Sequence, residues 1–233
     1  MARRRLKIWI TRAQPGADAT AERVRALGHD AVVGPLLAVR NLEGVRVELS
    51  GVGALAFTSG NGVRAFAELS GERSLKVFAV GQATAQAARA AGFRSVLSSD
   101  GDVEALALGI EQRRGEIRGL VLHPGAAELA GDLPAALEKY GVPANRLVVY
   151  ETVPEALPEE TALACAACDI VLVHSARAAK LLAGVLKAHP APKMKVLGLS
   201  KAVLKPLARI PLQARAFPPM PLEAALLKLI DRT

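Results

Sequence analysis

The chain has 233 residues, 51% of them hydrophobic and 3% aromatic, with 30 Lys and Arg against 22 Asp and Glu, a formal charge of +8. So much apolar side chain excludes a disordered chain, and the length suits two units of roughly 110 residues each. The positive excess favours an anionic partner; with the basic residues scattered and few rings for base stacking, no nucleic acid is expected.

The opening MARRRLKIWITRA has no apolar stretch of about 7–15 residues such as a signal peptide needs. No run reaches the roughly 18 apolar residues of a membrane helix. The expectation is a cytoplasmic chain with no membrane partner. Strand-like runs follow at 7–11, 30–39, 54–59, 76–81, 95–99, 119–124, 146–152, 169–175, 195–200 and 212–217. Between them lie Ala- and Leu-rich segments with apolar spacing of three and four, such as 19–28 and 133–141. Strand–helix alternation of this kind means βαβ units and parallel sheets. Cys165 and Cys168 fall at the end of a predicted helix, where the dipole opposes a thiolate. They read as buried structural residues, and no metal cluster is evident.

The chain also resembles itself. Lys7 to Arg40 and Leu120 to Val153 share a strand, loop, helix, Gly, strand plan in which Gly28 matches Gly141. ALAFTSGNGVRAF (54–66) resembles DIVLVHSARAAKLL (169–182), KVFAVGQATAQAARAAGF (76–93) resembles MKVLGLSKAVLKPLARI (194–210), and DGDVEALALGI (100–110) resembles PMPLEAALLKLI (219–230). The order is thus A, B, A′, B′. Either AB and A′B′ are the lobes, or B with A′ forms one and A with B′ the other. The extended apolar stretches 35–40 and 147–153 lie where the second arrangement needs its two crossovers, and paired antiparallel they would make a short ladder.

Ligands of open α/β sheets bind beyond the carboxyl ends of the strands. The residues there are Thr11-Arg12, Thr58-Ser59-Gly60-Asn61, Gly81-Gln82-Ala83-Thr84, His123-Pro124-Gly125, His174-Ser175-Ala176-Arg177 and Gly198-Leu199-Ser200-Lys201. Each group also opens a helix, so its serines and threonines read equally as N-caps, while free helix N–H groups can hold an anion. His123 and His174 are ligand or acid–base candidates, or polar rim residues. His29 and His189 read as surface residues. A non-enzymatic two-lobed protein binding a small anion is the competing class.

These residues carry a resemblance to the uroporphyrinogen-III synthase family. FTSGNGVRAF resembles its FTSxxAVxxF stretch, FAVGQATAQAARAAGF its AVGxATAxxLxxxGF stretch, and LVVYETVP its VVYxTxP stretch. The resemblance implies two flavodoxin-like α/β lobes with parallel sheets flanked by helices, joined by a two-stranded β-ladder hinge. Residues 1–37 with 152–233 would form lobe one and 38–151 lobe two, with the active-site cleft between them. It implies a lyase of heme and porphyrin biosynthesis that closes hydroxymethylbilane, a linear tetrapyrrole polycarboxylate, to uroporphyrinogen III with inversion of ring D and loss of water. It implies no cofactor and no metal; a monomer is expected. Tyr150 takes the place of the family's hydrogen-bond donor to the leaving hydroxyl. Ser59 and Thr84 match further binding positions, and Thr152, Ser175 and Ser200 match more loosely. With Arg12, Asn61, Gly81, Gln82, Gly125 and Lys201 they complete the expected substrate-binding set. The chain departs from the family where His123-Pro124-Gly125 replaces an Arg-Gly loop, and where Gly198-Leu199-Ser200-Lys201 replaces Gly-Pro-Thr.

Overall fold

Ile8, Trp9 and Ile10 have no exposed surface. Three consecutive buried side chains point alternately to opposite faces, so the strand must lie inside a sheet covered on both sides. A computed structural model describes residues 4–128 and 131–232. In chain order its elements are β1 (Lys7–Ile10), α1 (Gly16–Ala26), β2 (Asp30–Val33), β3 (Leu37–Asn41), β4 (Val52–Phe57), α2 (Gly60–Leu69), β5 (Lys76–Ala79), α3 (Gln82–Ala90), β6 (Val96–Ser98) and α4 (Val103–Glu111). Then come β7 (Leu120–Ala126), α5 (Leu133–Glu138), β8 (Ala144–Pro154), α6 (Glu159–Ala166), β9 (Ile170–Val173), α7 (Ala176–Ala188), β10 (Lys195–Gly198), α8 (Lys201–Leu204), β11 (Ala214–Ala216) and α9 (Glu223–Leu227).

The chain divides into two compact units, one comprising the segments up to Ala38 and from Val153, the other Val39–Thr152. Unit one carries a parallel sheet in the order β11-β10-β9-β1-β2. Trp9, Val171, Val173 and Val196 meet α7 on one face; Ile8, Ile10, Ile170, Leu172 and Leu197 meet α1 and α9 on the other. In unit two the order is β3-β8-β7-β4-β5-β6, with β8 to β6 parallel. Ala54, Ala56, Phe78 and Val121 pack on α4 and α5, and Leu55, Phe57, Val77 and Leu122 pack on α2 and α3. With the segment-A strands counted first, each unit has the 2-1-3-4-5 order of a doubly wound α/β fold; in unit two those strands, β7 and β8, come last in the chain.

The expected run 30–39 is not one strand. It ends as β2 at Val33, turns through Gly34 and Pro35, and resumes as β3 at the edge of the other sheet. A Cβ at residue 34 would stand 2.5 Å from Cys165 Sγ and 2.8 Å from Trp9 Nε1, and that indole donates to the Gly34 carbonyl at 2.8 Å.

The duplication is visible in how two helices stop. Past α1, Gly28 has φ +87° and the His29 N–H reaches Val24 O; past α5, Gly141 has φ +63° and the Val142 N–H reaches Leu137 O. Both are left-handed glycine stops with the same five-residue span. Little stands near either missing Cβ, so substitution costs backbone strain alone. Gly28→Ala and Gly141→Ala are each expected to lower the unfolding free energy by about 1 kcal/mol, read from urea unfolding with an unchanged slope.

Candidate active site

In unit two polar residues gather where β4 ends and along β7 and β8. Ser59 is extended (φ −155°, ψ 152°) and caps α2 by accepting the Gly62 N–H at 3.1 Å. The same Oγ lies 2.9 Å from the Tyr150 hydroxyl. Tyr150 is 7% exposed and packs with Val149 and Ala65. A serine hydroxyl has one proton and two lone pairs. With one lone pair on the Gly62 N–H, its proton can go to the Tyr150 oxygen, leaving the phenol proton for a ligand. Ser59 and Tyr150, separated by 91 positions, are therefore direct partners.

Beside them Thr58 Oγ1 is 3.1 Å from His123 Nε2. His123 is 2% exposed, and its Nδ1 has no hydrogen-bond partner. Burial, with the nearby Arg146 charge, pushes its pKa down to about 4, so the ring is neutral at ordinary pH. Gly125 lies against this ring: a Cβ there would be 3.2 Å from His123 Nε2. Arg146 donates to the carbonyls of Ala126 and Ala127, and the Ala127 N–H donates to Tyr150 O at 2.8 Å. The segment that follows His123-Pro124-Gly125 is thus tied down by an arginine from β8.

The remaining candidates of unit two are more dispersed. Asn61 accepts from Arg64 on the exposed side of α2. Gly81 caps α3 without a side chain, Thr84 is buried in that helix, and Thr152 is half-buried in β8. Gln82 donates to Asp100 at 3.0 Å, and hydrogen bonds from Ser98 and Gln82 hold that carboxyl below its usual range.

In unit one, Ser175 caps α7 through the Ala178 N–H at 3.1 Å, and Ser200 caps α8 through the Val203 N–H at 3.4 Å. Lys201 is exposed. Arg12 donates to Thr20 Oγ1 at 3.3 Å and to Glu223 Oε1 at 3.1 Å. Thr20 and Arg23 also bond to Glu223, and His174 Nε2 lies 3.6 Å from it. Burial raises the Glu223 pKa, but His174, Thr20 and the Arg12 charge outweigh it and bring it down to about 2.

The sequence reading missed Glu223, Thr20, Arg23 and Arg146. Glu223 had one signal: it stands in the repeat that matches Glu104. His29 is corrected. It is 3% exposed, not a surface residue, because its Nδ1 accepts from the Leu6 N–H and its Nε2 meets Asp231. His189 is also largely covered, with 17% of its side chain exposed. Cys165 and Cys168 are free and buried, and burial raises their thiols to about 12 and about 11. No helix among the described residues is long and apolar enough to cross a membrane.

Two doubly wound α/β units, each with hydroxyl-capped helices at its strand ends, define a class of duplicated α/β proteins. A family model described as uroporphyrinogen-III synthase HemD matches residues 18–228. The chain belongs to the uroporphyrinogen-III synthase family, lyases of tetrapyrrole synthesis that act on hydroxymethylbilane. Among solved structures, a uroporphyrinogen-III synthetase from Helicobacter pylori superposes with a TM-score of 0.65 at 17% identity, over 97% of this chain and 98% of that one. A mutant uroporphyrinogen III synthase from the extremely thermophilic bacterium Thermus thermophilus gives 0.51 at 18%, over 97% and 98%. Both likenesses show the fold. No curated protein matches the sequence.

His123 sets a pH dependence. Unfolded, it takes a proton near 6.5; folded, only near 4. Between those values the unfolded state binds more protons, so stability falls as pH drops through that window, by about 3 kcal/mol in all. Glu223 acts lower, losing its contribution as pH falls from 4.5 towards 2. Urea unfolding at about pH 7.5 and about pH 4 is expected to show the loss in the natural chain and little of it in His123→Asn.

Proposed function

We propose that this chain closes hydroxymethylbilane to uroporphyrinogen III with inversion of ring D, and that Tyr150 assists departure of the hydroxyl group. The observation that carries the residue assignment is the Ser59–Tyr150 hydrogen bond at the N-terminus of α2. In the first step the C–O bond of the ring A hydroxymethyl group breaks, the pyrrole nitrogen supplies the electron pair, and the hydroxyl leaves as water after taking one proton. A phenol held by Ser59 donates a hydrogen bond to that leaving oxygen. The electrophilic carbon is then attacked by the substituted carbon of ring D, giving a spiro intermediate that fragments and recloses. Closure without the enzyme gives the uninverted isomer, so the protein's larger task is to hold the chain in the productive geometry.

Gly81, Thr84, Ser175 and Ser200 belong to this reading as backbone or hydroxyl donors at helix starts, Gly125 in β7 and Thr152 in β8 as donors from strands, and Arg12, Asn61, Gln82 and Lys201 as partners of the carboxylates. Several present side chains are engaged within the protein: the three serines cap helices, Gln82 holds Asp100 and Arg12 holds Glu223. Their role towards substrate therefore rests on remaining donors and on the free N–H groups beside them. A monomer in the cytoplasm completes the reading; two free, buried cysteines suit a reducing compartment. Light scattering and cell fractionation check both points.

The purified protein supplied with fresh hydroxymethylbilane is expected to yield the type III isomer. Accumulation of the type I isomer alone would remove the enzymatic reading and leave a binding protein. Tyr150→Phe keeps the Ser59 cap but loses the phenol, and turnover is expected to slow by more than about tenfold with an unchanged circular dichroism spectrum.

A further inference from the structure

Arg12, at the carboxyl end of β1, is held by one nitrogen. Nη1 donates to Thr20 and Glu223, while among the described residues Nε and Nη2 have no hydrogen-bond partner. The side chain keeps 34% of its surface exposed. The flat face of the guanidinium lies over Gly16, which leaves the Nε–Nη2 edge uncovered: a Cβ there would stand 2.6 Å from Nε, 2.8 Å from Cζ and 2.9 Å from Nη2. Any side chain at position 16 would press on that face and drive the guanidinium off its anchors. Glu223 meanwhile serves Arg12 and Arg23 together, so two guanidinium charges share one carboxylate and a positive charge remains.

An arginine edge of two parallel N–H groups, fixed in direction and not fully neutralised, matches a carboxylate bidentately. We propose that Glu223 is a positioning residue and Gly16 a spacer, together presenting the Nε–Nη2 edge of Arg12 as the seat for one carboxylate of the tetrapyrrole substrate. The inference rests on the function proposed above and adds what aims the arginine.

Gly16→Ala is the decisive variant. Position 16 begins α1, where alanine suits the helix better than glycine, so the melting temperature is expected to hold while the arginine is displaced. The Michaelis constant for hydroxymethylbilane should rise at least about fivefold with turnover within about twofold. Glu223→Gln should raise it as well, and Glu223→Asp should recover part of the loss. Binding of uroporphyrin, a stable octacarboxylate, followed by porphyrin fluorescence, should weaken in step with the Michaelis constant. A folded Gly16→Ala protein with unchanged Michaelis constant and unchanged uroporphyrin affinity overturns the proposal. A natural chain that makes only the type I isomer strikes the enzymatic reading instead; the carboxylate seat then stands or falls on the uroporphyrin affinities alone.

Discussion

Ser59 Oγ makes two contacts, the Gly62 N–H at 3.1 Å and the Tyr150 hydroxyl at 2.9 Å. The first is a helix cap, worth about 1 kcal/mol; the second gives the buried phenol its polar partner. Because one atom serves both, Tyr150 is placed by where α2 begins. That start is fixed in turn by β4, whose residues Ala54 to Phe57 have no exposed surface. A strand buried on both faces cannot slip by one residue without sending its side chains to the opposite layers. The aliphatic core of unit two therefore sets the position of one hydroxyl oxygen, and through it the phenol proposed for the chemistry.

The two copies of the strand–helix–strand segment have kept their backbone and changed their chemistry. Counted back from the glycine stops at 28 and 141, Arg12 corresponds to Gly125. In unit one the position holds a guanidinium on Glu223. In unit two it is the glycine that lies against the neutral ring of His123. Glu104, the counterpart of Glu223, is exposed on α4. A charged cluster of this kind is weak evidence for stability, since apolar packing of similar volume often serves as well. An inward Glu at the start of α9, where the core asks only for leucines such as Leu226 and Leu227, is better explained by what it does to the arginines than by what it adds to the fold.

The alternation of strands and helices was legible because it is written in side-chain periodicity, and the central strands read as unbroken apolar runs for the reason that Trp9 is buried: both faces are covered. The repeat was legible as well, down to Gly28 and Gly141, since a left-handed stop admits few residues. Partnerships across long separations were not. Nothing local in Ser59 or Tyr150 says that they touch, and family likeness rather than residue chemistry singled out the tyrosine. Arg12 reads as a cation at a strand end, but its direction depends on Glu223, 211 positions away, and on a missing side chain at Gly16. The buried state of His29 escaped for the same cause: its partners, the Leu6 N–H and Asp231, lie outside any window a periodicity argument uses.

The contrast between the copies fits the charge demands of the proposed reaction. Loss of hydroxyl from hydroxymethylbilane leaves a cation-like carbon, and a fixed positive charge a few ångströms away in a medium of effective dielectric about 20 would oppose it by several kcal/mol. The side chains nearest the phenol carry no charge: Ser59 and Thr58 are neutral hydroxyls, and His123 is kept uncharged by its burial. The cation near His123, Arg146, is directed to the carbonyls of Ala126 and Ala127 and holds that segment. The substrate's carboxylates make the opposite demand, for guanidinium groups left partly uncompensated. In the copy that carries no phenol, Arg12 and Arg23 share the single carboxylate of Glu223, and under the reading proposed above that uncompensated charge is what the substrate's carboxylates require, so divergence after duplication would assign the two electrostatic requirements to different copies of one segment.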